Sequence, residues 1–142
     1  MEATDLLHNW LDAKSRAPIW RLVTSTEVAY TLRRQSCGPS SFAFVKFSCE
    51  PSDSLSFHST ANWPSVLQAE EIAGVEHAVS VGVVEAFATA DYSMSKVCKV
   101  TLRSIEWDEI GSSEYAFYLA AKAAISSLTA DRNKWALKPL AA

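Results

Sequence analysis

Glu106, Asp108 and Glu109 crowd around Trp107 in the stretch EWDEIGSSEY. Carboxylates so close together could hold a divalent cation or a basic partner, and the aromatic among them could serve as a docking surface. The simpler expectation is a solvated acidic turn whose Trp107 plugs the end of a sheet. His8, His58 and His77 have no mutual ligand spacing and no cysteine at a suitable distance, so no metal site is expected, and His77 reads as a surface residue. Ser112 and Ser113 could be nucleophiles, but neither lies in a Gly-x-Ser-x-Gly elbow, and both suit the cap of a helix. Cys37, Cys49 and Cys98 form no Cys-x-x-Cys pair. Their odd number and wide spacing fit free, inert thiols in a reducing compartment, with Cys37 beside Gly38 the one placed for exposure. No Gly-x-x-x-x-Gly-Lys-Ser/Thr loop occurs, so neither a nucleotide nor another cofactor is expected, and no acid–base or nucleophilic constellation marks an enzyme.

Two basic groups could meet phosphate. Arg33 and Arg34 precede a turn, while Arg132, Lys134, Trp135 and Lys138 combine cations with an aromatic, as on surfaces that hold single-stranded nucleic acid. For the first pair the simpler alternative is a charged strand end, and for the second a frayed or surface-packed terminus. The formal net charge is −3, so any nucleic-acid contact must be local rather than driven by a field over the whole molecule.

These residues belong to a chain of 142 residues, 49% hydrophobic and 20% charged, which suits one globular domain spanning 1–142. The acidic opening MEATDLLHNWLDAK has no long apolar run, and no later window reads as a membrane span. The expected address is the cytoplasm, without a membrane partner.

The elements follow from periodicity. Leu6, Leu7, Trp10 and Leu11 recur at helical spacing behind Thr4, predicting a short helical extension over 1–17. Val28, Tyr30 and Leu32 alternate with Ala29, Thr31 and Arg33; after the turn SCGPSS, Phe42, Phe44, Lys46 and Ser48 alternate with Ala43, Val45, Phe47 and Cys49. With LSFHST these make three antiparallel strands. A long helix is expected from Pro64, with Ser65 and Gln68 in capping-box spacing and a stripe of Ile72, Val75, Val79, Val83 and Ala86; Gly74 and Gly82 put its continuity in question. KVCKVTLRSIEW reads as a fourth strand. A last helix follows Ser112 and Ser113, with Ala116, Ala120, Ala123, Ala124 and Ser127 as a small-residue face. The order predicts a two-layer α+β domain with both main helices on one face of a four-stranded sheet, and a tail over 130–142.

RRQSCGPSSFAFVKFSCEP resembles a pattern in domain IV of elongation factor G and elongation factor 2: a basic residue, Gln-Ser-Gly-Gly-x-Gly-Gln-Tyr, an alternating strand, then Glu-Pro. KVTLRSIEWDEIGSSEYAFYLAAKAA is similar to that family's Val-Thr-Leu, short turn, Tyr-His-x-Val-Asp-Ser-Ser-Glu and Ala-Phe-rich helix, and IAGVEHAVSVGVVEAF to its Val-Glu-x-Gly-Val helix. The likeness covers 28–128. It implies the ribosomal protein S5 domain 2-like fold, in which a β-α-β unit takes a left-handed crossover against the usual rule.

In the family, domain IV reaches the small-subunit decoding centre and follows messenger–transfer RNA. By position, its two tip loops fall here on Ser36, Cys37, Gly38, Pro39, Ser40 and Ser41, and on Trp107, Asp108, Glu109, Ile110 and Gly111. Pro39, Ser40 and Ser41 replace the second glycine element and Gln, Asp108 replaces the tip His, and Gly111 replaces the Asp before Ser-Ser. An acid near phosphate is repelled, and each lost cation weakens salt-dependent attraction. The resemblance therefore implies a non-catalytic, stand-alone module with weak ribosome or RNA contact through Arg33, Arg34 and the first loop. The alternative is a protein-interaction module that uses the fold without RNA.

Overall fold

The computed structural model describes residues 18–34, 41–90 and 95–137. The helix expected over 1–17 lies outside them, as do Ser36, Cys37, Gly38, Pro39, Ser40 and Lys138.

The predicted hairpin forms from β2 (Thr26–Arg34) and β3 (Ser41–Glu50), paired antiparallel from Thr26↔Cys49 to Arg34↔Ser41. Its alternation is as the sequence predicts: Ala43, Val45, Phe47 and Cys49 are fully buried, and their neighbours along β3 are only partly covered. The third strand, β4 (Ser56–Ser59), does not sit beside β3. Strand β6 (Lys99–Glu106) lies between them, antiparallel to β3 and parallel to β4, giving the order β2-β3-β6-β4. In chain order β2, β3 and β4 alternate in direction as expected, but four-residue β4 gains its neighbour, parallel β6, only after the chain returns through a helix.

A bulge re-aims the end of β6. Lys46 pairs with Ser104 but Phe47 pairs with Leu102, so Arg103 is the extra residue. Without it, strict alternation from Leu102 would turn Ile105 away from the core. With it, Ile105 and then Trp107 pack against the buried cluster.

Helix α1 (Ala69–Ala90) begins later than the sequence predicts. Pro64–Leu67 closes as a turn, with the Leu67 amide donating to the Pro64 carbonyl at 3.0 Å, and that turn buries Leu67. The first helical bond runs from Ile72 to Gln68, and Glu71 accepts from the Gln68 amide, so the cap falls three residues beyond Ser65. The helix is continuous through both glycines. By length and composition α1 is apolar enough to span a bilayer, contrary to the sequence reading, because Glu76, His77 and Glu85 are the only ionisable residues from Ile72 to Ala90. Here Val75, Val79, Val83 and Phe87 are buried in the domain.

Helix α2 (Glu114–Ala130) is capped by Ser113, whose hydroxyl accepts the Ala116 amide at 3.1 Å. Its buried small residues are Ala116, Ala120, Ala121 and Ala124; of the predicted face, Ala123 is only half-buried and Ser127 is exposed. Ala121 faces Gly82 of α1, and α2 lies closest to β2 and β3, where short side chains permit close approach.

Three short strands add a second sheet that the sequence reading did not anticipate. Strand β1 (Ile19–Leu22) lies between β5 (Ser95–Val97), parallel to it, and β7 (Trp135–Leu137), antiparallel. The region expected as a tail over 130–142 therefore contains a 3-10 turn at Arg132–Lys134 and a strand that carries buried Trp135. Strands of three or four residues are too short to display alternation of their own, and Lys96–Val97 reads in sequence as the start of the fourth strand rather than as a separate one.

Candidate functional site

The far ends of β2 and β6 and the near end of β3 converge at one end of the larger sheet. Arg34 pairs with Ser41, Arg33 with Phe42, and Phe44 with Glu106. Beyond β6 the chain makes a compact loop. The Ile110 amide donates to Asp108 Oδ1 at 3.0 Å, the Asp108 amide to Ser112 Oγ at 2.9 Å, and the Ser112 amide to the Asp108 carbonyl at 2.9 Å. Asp108 thus serves as the loop's internal acceptor, the local role that suits a short carboxylate at a turn.

The loop is also clipped to β3. Phe42 donates its amide to the Gly111 carbonyl at 3.0 Å, and Ser112 Oγ donates to the Phe42 carbonyl at 2.8 Å. Ser112 and Ser113 are therefore occupied by a loop clip and a helix cap. Trp107 is a plug: its ring stacks on fully buried Phe117 at 5.5 Å and 19°, and Phe117 meets Trp63 at 6.0 Å. The Trp63 indole donates to Glu76 Oε1 at 2.9 Å, tying this aromatic row to α1.

What remains outward is an open depression of about 760 Å³, with Arg33, Ser41 and Phe42 on one side and Glu106 to Ile110 on the other. The Arg33 guanidinium sits 5.5 Å over the Phe42 ring. Arg33 and Arg34 are both exposed, and among the described residues neither forms an ion pair with a carboxylate. Glu106, Asp108 and Glu109 are exposed as well, and Ile110 is 86% exposed at the loop's crest, a feature the sequence reading did not single out. The structure brings together Arg33, Arg34, Ser41, Trp107, Asp108 and Glu109 of the residues singled out by sequence. Ser36, Gly38, Pro39 and Ser40 lie outside the described residues.

The remaining candidates have structural roles. Among the described residues no group of three or more His, Cys, Asp or Glu could hold a metal. Cys49 and Cys98 are free and buried, and contact with the Cys49 sulfur together with burial pushes the Cys98 thiol well above its ordinary range. Trp135 packs edge-on against Phe87 at 6.0 Å and donates its indole N–H to the Leu128 carbonyl at 3.1 Å, so it cannot stack on a base. Two further features had no sequence signal. Lys96, 8% exposed, donates to the Thr129 carbonyl at 2.5 Å in the last turn of α2, and Tyr118 donates to Glu85 Oε2, which Lys122 also approaches at 3.4 Å. The Tyr118 hydroxyl holds the Glu85 carboxyl below the usual carboxylate range, and Glu85 in turn raises the Tyr118 phenol.

No family model matches the chain. It is similar to elongation factor G of Rhodopseudomonas palustris (strain BisB18), 32% identical over 127 residues, a span that covers 84% of this chain and 17% of that factor. A crystal structure of a Thermus thermophilus protein shares the fold with a TM-score of 0.64 at 20% identity, over 79% of this chain and 17% of that one. The chain thus spans about one sixth of the length of either protein. Sequence blocks, sheet order and these similarities agree: the chain is an elongation factor G domain IV-like, translation-factor-like module.

Proposed function

We propose that the chain works as a non-catalytic module in the cytoplasm that contacts the ribosome through RNA at the tip of its larger sheet. Arg33 and Arg34 supply the cations, Ser36, Gly38, Pro39, Ser40 and Ser41 are the further candidates that follow them in sequence, and the Trp107–Asp108–Glu109 loop forms the opposite wall. The observation that carries this reading is the pair of exposed arginines, without carboxylate partners among the described residues, beside a loop clipped in place. Two cations against three neighbouring acids imply modest affinity that salt weakens. No cofactor or nucleotide enters this role.

Ile110, exposed next to Asp108 and Glu109, favours a second reading in which the same end docks a protein with a basic and apolar segment. Co-sedimentation with purified ribosomes at low salt separates the two. The RNA reading expects pelleting that Arg33→Ala/Arg34→Ala weakens and Ile110→Ser leaves intact; pelleting lost only in Ile110→Ser, or none at all, would overturn it.

A further inference from the structure

Strand β2 ends the larger sheet, with β3 as its one strand neighbour among the described residues. It is nine residues long and contains no proline, bulge or glycine to blunt its outer edge. Glu27, Ala29, Tyr30, Thr31, Arg33 and Arg34 are all exposed. A long, regular edge with no second strand on it among the described residues is a template for another strand.

The sequence of this edge is complementary to itself. On an edge strand, alternate residues turn their N–H and C=O outward, and the same alternate set does so in every copy. A two-fold antiparallel pairing must therefore match residues of equal parity. Full overlap of Thr26–Arg34 with its copy meets that condition and sets Glu27 opposite Arg33, Val28 opposite Leu32, Ala29 opposite Thr31, and Tyr30 opposite Tyr30. By symmetry the Glu27–Arg33 pair occurs twice, on the sheet face turned away from the helices. Sliding the strands by two residues either way loses both pairs, leaving each Arg33 opposite Ala29 or beyond the overlap. Glu27 already meets Lys46 at 3.3 Å, where both side chains remain solvated, and Arg33 has no carboxylate partner among the described residues.

We propose that the outer edge of β2 is a self-association surface on which a second copy of this chain adds antiparallel, in the register that joins Glu27 to Arg33 across a two-fold axis at Tyr30. The product is a continuous eight-stranded sheet with the helices of both copies on one side. This surface is distinct from the depression beside the Trp107 loop, although Arg33 borders both.

Sedimentation velocity over a concentration series tests the association, and charge exchange tests the register. Wild type is expected to show a reversible monomer–dimer equilibrium. Glu27→Arg or Arg33→Glu alone is expected to raise its dissociation constant about tenfold, because two attractions become two repulsions, and the double exchange E27R/R33E to restore it to within about threefold. In a Cys37→Ser background, Tyr30→Cys is expected to oxidise to a linked dimer while Val28→Cys does not. A wild-type chain that stays monomeric, a dimer indifferent to both single reversals, or linkage through position 28 rather than 30 would each overturn the proposal. A monomer whose β2 amides resist hydrogen exchange would show instead that another segment of the same chain covers the edge.

Discussion

Lys96 shows how a polar residue enters a core without losing its partners. Its ammonium is nearly buried, sits 5.8 Å from the Trp135 ring centre, and donates to the Thr129 carbonyl at the negative end of α2. Lys96→Met keeps most of the volume but removes a charged hydrogen bond, and should lower unfolding stability by about 1–3 kcal/mol in urea titration. The Glu85–Tyr118 contact carries a pH signature. Because the folded Glu85 carboxyl is depressed by its Tyr118 bond, its contribution is present above the unfolded carboxylate pKa and is lost as pH falls through the folded value. Tyr118→Phe should therefore be less stable than wild type near neutrality, and the difference should shrink on acidification through the carboxylate range. A gap unchanged by acid in paired thermal melts would contradict that assignment. Neither feature was legible in sequence: Lys96 is the middle residue of a three-residue strand, and Glu85 and Tyr118 meet only because two helices pack.

The two glycines of α1 look alike in sequence and differ in the fold. A Cβ on Gly82 would lie 2.6 Å from the Tyr118 carbonyl oxygen and 3.2 Å from the Lys122 nitrogen, both backbone atoms of α2. A Cβ on Gly74 would meet only the carboxylate end of the Glu114 side chain, which can swing aside. Alanine gains about 1 kcal/mol of helix propensity at either site, whereas overpacking against fixed backbone costs about 1–3 kcal/mol. Gly82→Ala should thus lose stability and Gly74→Ala hold or gain it, as chemical denaturation would show. At this scale the hairpin and the capped last helix were readable, because alternation from Phe42 to Cys49 and the Ser113 cap are local signals. The bulge at Arg103 and the parallel pairing of β4 with β6 were not, since each is decided by a neighbour distant in sequence, and the start of α1 was not because the Pro64–Leu67 turn that buries Leu67 moves the cap to Gln68.

In the whole molecule, one layer of helices fixes a sheet whose end carries the loops, and the aromatic row Trp107–Phe117–Trp63 ties the acidic loop to that core. The resemblance to domain IV was readable because its blocks keep their order along the chain, while the small sheet that holds Trp135 was not, because its strands are short and far apart in sequence. The scaffold has the form of a translation-factor domain, and in the proposed role Arg33 and Arg34, beside Glu106, Asp108 and Glu109, supply the charged groups of its tip among the described residues. The most direct measurement of whether those arginines meet RNA is the salt dependence of ribosome binding for wild type and Arg33→Ala/Arg34→Ala. Each phosphate contact contributes roughly 0.7–0.9 to the slope of log affinity against log salt, so the double variant should lose about 1.5 units of slope. Equal slopes and equal affinities for the two proteins would contradict the account.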